Sequence, residues 1–282
     1  MIVESSPAEV RRIVRAARQR GLIVGCVPTM GALHQGHVSL IESARTDCDF
    51  VAVTLFVNPT QFGPNEDFSR YPRTLDADLE MCRTAGADLV FTPPVSSMYS
   101  ESAQTTVRVT KLAEFLEGAH RPGHFDGVST VVTKLFNITE PDRAYFGQKD
   151  FQQQLIIRQM VTDLNQPVEI VTCPIVREAD GLAMSSRNRY LSSAERSHAL
   201  QLSQALKLAE NLAVDSALMP PEIAQAMKDH LNSAGGIDVQ YAVIVDSATL
   251  QPLAERSDSA VALIAAKVGA TRLIDNQILR FR

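Results

Sequence analysis

The chain has 282 residues, 45% of them apolar and 21% charged, the proportions of an ordinary globular protein with room for one large or two ordinary domains. A formal net charge of -5 argues against a nucleic-acid surface, which is normally basic. Cysteines 26, 48, 82 and 173 are scattered without C-x-x-C spacing, the N-terminal stretch lacks an apolar signal core, and the longest apolar run, Ala260 to Ala266, is too short to span a bilayer, so a reduced cytoplasmic protein with no membrane or nucleic-acid partner is expected.

Ser6, Pro7 and Glu9 have the spacing of a helix start, with a capping box and an N1 proline. Val10, Ile13, Val14 and Ala17 form its apolar stripe, Gly21 closes it, and the arginines at 11, 12, 15 and 18 are expected on its solvated face. Leu22 to Val27 reads as a strand covered on both faces, ended by Pro28, which has no N–H for the ladder. Gly31 and Gly36 allow a tight turn, and His34 and His37 are expected on one side of the first turn of the next helix, which Val38, Ile41 and Ala44 carry. Phe50 to Val57 is an unbroken apolar strand. Thr74 to Ala85 reads as a helix ended by Gly86, and Leu89 to Phe91 as a third central strand. Further on, Lys111 to Glu117 and Val128 to Ile138 read as helices, Ala144 to Phe146 as a strand, Phe151 to Leu164 as a helix and Val168 to Cys173 as a strand.

This alternation implies an α/β fold, a Rossmann-like doubly wound parallel sheet with helices on both faces and ligands beyond the carboxyl ends of its strands. The segments PTMGALHQGH, NPTQFGP, GQKD and PIVREADG leave those ends with polar groups and are expected to line one crevice. The composition changes after Val176: residues 193 to 234 read as two helices separated around Pro220 and Pro221, and Val239 to Val245, Val261 to Ala265 and Ile278 to Phe281 as short strands, with a turn at Gly235-Gly236. Residues 1–176 are therefore expected to form the ligand-binding domain, and 177–282 a smaller α+β domain acting as a lid.

The histidine turn is the centre of the chemistry. A helix N-terminus presents free N–H groups and a partial positive charge, and imidazoles there can donate to phosphate oxygens. Two histidines in H-x-G-H spacing could equally be solvated or ligate a metal; no third ligand lies near them in sequence, so no metal site is assigned. Gly147-Gln148-Lys149-Asp150 places a lysine for phosphates and an aspartate for ribose hydroxyls at a helix start, where a plain capped turn is the alternative. Met184-Ser185-Ser186-Arg187 with Asn188 offers hydroxyls and a guanidinium to a triphosphate, or is a hydrophilic linker. Asn58 to Phe62 with Gln153 offers neutral amides to a carboxylate and a hydroxyl, although isolated glutamines are usually surface residues. In Arg121 to Gly127, Arg121 or His124 could steer an acidic substrate, or the segment is a tight connection.

Together, VPTMGALHQGH, FVNPTQF, RYPRT, LEGAHRPGHFDGVSTVVTKLFN, FGQKDFQQ, DGLAMSSRN and RLIDN resemble the pantoate–β-alanine ligase family, within the nucleotidyltransferase folds that carry an H-x-G-H signature. The resemblance implies that ATP and pantoate give an enzyme-bound pantoyl adenylate and pyrophosphate, and that the amine of β-alanine then attacks to release AMP and pantothenate. It implies a nucleotide-binding set of Met30, Gly31, Ala32, Leu33, His34, Gln35, Gly36 and His37, with Gly147, Gln148, Lys149, Asp150, Val176, Met184, Ser185, Ser186 and Arg187. Within it His34, His37 and Lys149 would be catalytic, Lys149 with the Ser185–Arg187 segment would hold the phosphates with Mg²⁺, Asp150 the ribose, and Val176 would border adenine through its backbone. Gln61 and Gln153 would hold pantoate, with Gln61 also near the β-alanine site. A homodimer is implied as well. Two rivals stay open: a nucleotidyltransferase that releases its adenylated product, and a non-catalytic nucleotide-sensing module.

Overall fold

The structure is a computed structural model and describes residues 1–282 except 65, 216 and 282. The chain divides into two compact units, residues 1–147 with 152–174, and residues 148–151 with 175–282.

The first unit is built on six parallel strands: β1 (Ile2–Glu4), β2 (Val24–Thr29), β3 (Phe50–Leu55), β4 (Leu89–Phe91), β5 (Arg143–Gly147) and β6 (Glu169–Cys173), in the order β1-β4-β3-β2-β5-β6. Parallel pairing puts all six carboxyl ends along one edge. The chain winds outward from β2 through β3 to β4, then restarts on the other side with β5 and β6, so the order reverses between β2 and β5. Such a reversal opens a crevice at the carboxyl ends, and the histidine turn leaves β2 at that point.

Helices α1 (Pro7–Gln19), α2 (Gln35–Asp47), α3 (Leu75–Thr84), α4 (Val95–Met98), α5 (Glu117–His120), α6 (His124–Thr139) and α7 (Phe151–Asp163) make the connections. Leu40, Ile41 and Ala44 of α2 and Cys82 of α3 pack with Val27, Val51, Val53 and Val90 of the sheet in one buried cluster. The spacing of Leu40, Ile41 and Ala44 is the apolar stripe of a helix laid on a sheet.

Several elements differ from expectation, each for a physical reason. Pro28 does not end β2, which runs on to Thr29. The Thr29 carbonyl accepts from Phe56 N on the β3 side, so strand alternation turns the Pro28 nitrogen the other way, where β2 pairs with β5 only at Gly25 and Cys26. Edge strand β1 is too short for any periodicity to reveal. Glu9 forms no capping box: its N–H bonds Ser6 Oγ, but its carboxylate pairs with Arg12. Arg11, Arg15 and Arg18 are not simply solvated, because they bond the Asn137 carbonyl, Glu140 and Asp142 and so tie α1 to the end of α6. The Lys111–Glu117 helix is only a 3₁₀ turn at Lys111–Ala113 ahead of α5.

The second unit holds α8 (Ser193–Asp215) and α9 (Pro220–Ser233) against an antiparallel sheet in the order β7 (Ile237–Asp246), β8 (Ala260–Val268), β9 (Thr271–Ile278). Ala199, Ala205, Ala209 and Ala213 of α8 are fully buried, small side chains that let a helix lie close to its neighbours. The expected third strand at Ile278 to Phe281 is misplaced: β9 spans Thr271–Ile278, with Asp275 and Asn276 buried inside it. Two polar residues at covered positions disguise a strand in an apolar-pattern reading. They are covered because they are bonded, as the site geometry makes plain.

Candidate active site

The turn from β2 into α2 is shaped by a carboxylate from another element. Gly31 (φ +79°) and Ala32 (φ +49°) both adopt the left-handed region, a strained one for alanine. Asp78 of α3, 3% exposed, accepts from Ala32 N at 2.9 Å and Leu33 N at 2.8 Å, and Thr74 Oγ1 donates to it at 3.1 Å. The bend therefore sits at Gly31-Ala32, while Gly36 lies within α2. Beside the bend, Met30, Gly31 and Asp78 border a cavity of about 290 Å³ that Phe68, Arg73 and Thr74 also line.

Beyond the bend, the two histidines cap one another's helix start. His34 is the N-cap of α2 and its Nδ1 accepts from Gly36 N at 3.2 Å, while His37 Nδ1 accepts from His34 N at 3.3 Å. The rings lie 4.1 Å apart, tilted by 35°. A ring nitrogen that accepts carries no proton, so each neutral imidazole holds its hydrogen on Nε2. Both side chains are thus set as Nε2 donors at a positive helix end. Gln35, exposed, follows them in the first turn.

Gln61 is held as tightly. It lies in a 3₁₀ turn, Pro59–Gln61, started by Asn58, and is buried at 9% exposure. Asn58 Nδ2 donates to Gln61 Oε1 at 3.1 Å and to the Gly127 carbonyl at 3.2 Å, and Gln61 Nε2 donates to Met30 Sδ at 3.2 Å. The structure therefore brings Gln61 to Met30. Gln153, half-buried on α7, makes no side-chain hydrogen bond to a described residue. Its neighbours differ: Gln152 ties Leu112, Phe115 and Glu117, and Gln154 accepts from Thr172. Of three consecutive glutamines, the middle one is the one whose side chain bonds none of the described residues.

Arg121 and His124 are not available for steering. Arg121 pairs with Glu66 through two nitrogens, at 2.6 and 2.7 Å, and its third bonds His124 Nε2 at 3.0 Å. His124 Nδ1 donates to the Gln61 carbonyl at 2.8 Å. Burial first, and the Arg121 charge second, push the His124 pKa down to about 4. A neutral histidine with a donor at one end and an acceptor at the other braces the Gln61 turn from behind.

The second unit carries the remaining candidates. The buried Asn276 side chain donates to the carbonyls of Gln148 at 3.0 Å and Lys149 at 2.9 Å, and Gln148 Nε2 donates back to Asn276 Oδ1 at 3.1 Å. This ties the Gln148–Asp150 turn to β9. The Lys149 ammonium has no carboxylate partner among the described residues. Asp275 takes both guanidinium nitrogens of Arg177 at 2.7 and 3.0 Å. Arg177 opens a short antiparallel bend in which Met184 N bonds the Val176 carbonyl and Gly181 (φ +95°) makes the turn. After Met184, Ser185 Oγ accepts from Arg187 N, and Asn188 Nδ2 bonds Glu178 and the Ala183 carbonyl. Ser186 is buried and Arg187 half-buried. The residues that sequence reasoning left without a role, Asp78, Tyr99, Asp275 and Asn276, each hold a candidate residue or one beside it. Only RLIDN, among the quoted segments, hinted at any of them.

A doubly wound sheet with a helix beginning at its switch point is the architecture of enzymes that bind their ligands in the crevice beyond the carboxyl ends of the strands. The sequence model of the family described as Pantoate-beta-alanine ligase matches residues 2–278. Pantothenate synthetases of Moorella thermoacetica and Thermotoga neapolitana are 53% and 51% identical to this chain, over 96% of it and 96% and 97% of their own lengths. The crystal structure of pantothenate synthetase from Thermus thermophilus superposes with a TM-score of 0.93 at 44% identity, covering 99% of both chains. That of pantoate-beta-alanine ligase from Francisella tularensis, complexed with beta-gamma ATP and beta-alanine, superposes at 0.82 with 34% identity, covering 99% of this chain and 97% of that one. The chain belongs to the pantoate–β-alanine ligase family and is an enzyme that joins pantoate to β-alanine in pantothenate biosynthesis.

Proposed function

We propose that the chain performs this ligation in two steps on ATP, and that the sequence-derived residues carry them. The observation that carries the reading is the mutually capped histidine pair, because each Nδ1 accepts a backbone N–H and so sets its ring as an Nε2 donor at a helix start. In the first step a pantoate carboxylate oxygen bonds the α-phosphorus and the bond to pyrophosphate breaks. Charge shifts onto phosphate oxygens as it does, and preorganised donors that need no reorientation lower that barrier most. His34 and His37 supply those donors, and Lys149, Ser185, Ser186 and Arg187 hold the polyphosphate. Gly147 and Gln148 with the Met30–Gln35 segment, Gly36 and Met184 line the nucleotide, Asp150 takes the ribose hydroxyls, and Val176 borders the base through its backbone. Gln61 and Gln153 hold pantoate. Mg²⁺ would enter with the nucleotide substrate and neutralise phosphate charge, beside Lys149, Ser185, Ser186 and Arg187. In the second step the amine of β-alanine forms the amide bond, AMP leaves with the acyl oxygen, and the amine proton passes to solvent. The C-terminal unit is assigned the part of a lid.

The test is exchange of pyrophosphate into ATP that depends on pantoate and needs no β-alanine. It should be present, and His37→Ala should slow it by roughly 10²–10³-fold, far more than the loss of one helix-cap bond, about 0.5–2 kcal/mol of stability, accounts for. Exchange without pantoate, or none at all, refutes the adenylate; steady release of pyrophosphate and free adenylated acid without amine points to a nucleotidyltransferase that releases its product, and steady AMP release without amine contradicts a protected intermediate. A homodimer and a cytoplasmic setting complete the reading. The four free, buried cysteines suit a reducing compartment, and sedimentation equilibrium decides the dimer.

A further inference from the structure

We propose that Tyr99 is a positioning residue of the ligase reaction: through Asn58 it locks the Gln61 amide so that only its N–H₂ end faces the substrate. This rests on the assignment of Gln61 to pantoate and goes a step beyond it.

The argument is one of donors and acceptors that have no choice. A backbone N–H can only donate and a backbone carbonyl can only accept. Asn58 lies between one of each. Thr60 N approaches one end of its amide, at 3.4 Å, and the Gly127 carbonyl approaches the other, at 3.2 Å. The first end is then Oδ1 and the second Nδ2, so the backbone favours one orientation of the Asn58 amide, although at 3.4 Å the Thr60 bond is long. Nδ2 also points at the Gln61 side chain, at 3.1 Å. Whatever faces it there must accept, which makes that atom Oε1 and turns Gln61 Nε2 outward, toward Met30 Sδ. The orientation of the glutamine is therefore inherited from the asparagine.

Tyr99 makes that inheritance secure. Its hydroxyl donates to Asn58 Oδ1 at 2.9 Å, shorter than the bonds from Thr60 Oγ1 at 3.0 Å and Thr60 N at 3.4 Å. Asn58 is 1% exposed, so no water replaces a lost donor. The tyrosine itself is held by Phe56, ring to ring at 6.4 Å, and by the Lys134 ammonium 5.4 Å above its ring. It lies 38 residues beyond Gln61 in the sequence and, having no direct hydrogen bond to it, can act only through Asn58 and Thr60.

The chemical consequence is selectivity for oxygen lone pairs. An N–H₂ group beside a thioether donates to a carboxylate or hydroxyl oxygen of the acid; a freely flipping amide would present its carbonyl half the time and repel that carboxylate.

The experiment is a double-mutant cycle on pantoate-dependent pyrophosphate exchange, with Tyr99→Phe, Gln61→Ala and the double variant. Removing one hydrogen bond should lower kcat/KM for pantoate by about three- to tenfold, expressed mainly in the KM for pantoate, with the KM for ATP and the melting temperature close to those of the parent. In the Gln61→Ala background Tyr99→Phe should do nothing further, since there is no amide left to orient. If Gln61→Ala is impaired but Tyr99→Phe has no effect, or its effect simply multiplies with that of Gln61→Ala, the positioning role is wrong and the pantoate assignment stands. If Gln61→Ala is itself unimpaired, the assignment of Gln61 fails first.

Discussion

Asp78→Asn is the sharpest probe of how this site is built. The wild-type carboxylate receives two backbone N–H donors, from Ala32 and Leu33, on separate oxygens. Asparagine keeps one acceptor and sets an N–H₂ group against the other donor. One charge-assisted bond is lost, worth about 1.5–3 kcal/mol, and one buried N–H is left unsatisfied at about 1–3 kcal/mol. Partial relaxation of the turn recovers some of this, so a net loss of about 3 kcal/mol is expected. For a chain of this size that corresponds to a melting temperature lower by roughly 6–12 °C. Asp78 fastens the left-handed Ala32, φ +49°, so weakening it should let the helix start drift and lower exchange more than stability alone accounts for. Differential scanning calorimetry and pyrophosphate exchange on the same preparation provide the measurement. A variant that melts and exchanges like the parent would falsify the claim that Asp78 shapes the histidine turn.

Three further outcomes are expected. His124 has a folded pKa of about 4 against an ordinary 6.5, so the fold favours its neutral form: its contribution is fully present above pH 6.5 and is lost as the pH falls through about 4, on the order of 3 kcal/mol in all. Denaturant midpoints should fall across that window, and fall less in His124→Asn; an equal decline in both contradicts the bracing role. In Gly127→Ala the new Cβ would sit 2.4 Å from the Thr60 carbonyl oxygen, forcing the Gln61 turn aside at about 1–3 kcal/mol and raising the KM for pantoate, which steady-state kinetics with a thermal melt would detect. Arg187→Ala should lower kcat for adenylation more than it raises the ATP dissociation constant, the signature of contact made mainly in the transition state; equal effects in rapid-quench and equilibrium titration would make the segment a static binding surface.

What local pattern determined about this protein is considerable. Apolar runs at Phe50–Val57 and Val168–Cys173, stripes at Val10–Ala17 and Val38–Ala44, and the Gly86 and Gly235-Gly236 punctuation are each a few residues long and report directly on burial and turn chemistry. They were enough for a parallel sheet with helices, a smaller sheet after it, and a histidine pair at a helix start. Tertiary structure decided everything that depends on a partner distant in the chain. Pro28 is tolerated inside β2 because β5 has stopped pairing there, and Asp275 and Asn276 can occupy a buried strand because Arg177 and the Gln148–Lys149 carbonyls meet them. The two histidines could be placed by spacing, but their tautomers could not, since a proton's position follows from the N–H that each Nδ1 accepts. Arg121 resembled a steering cation until Glu66, 55 positions away, proved to neutralise it. Hydrogen bonds and ion pairs between distant residues leave no period in a sequence; burial does, and for that reason the scaffold was readable while the aim of its side chains was not.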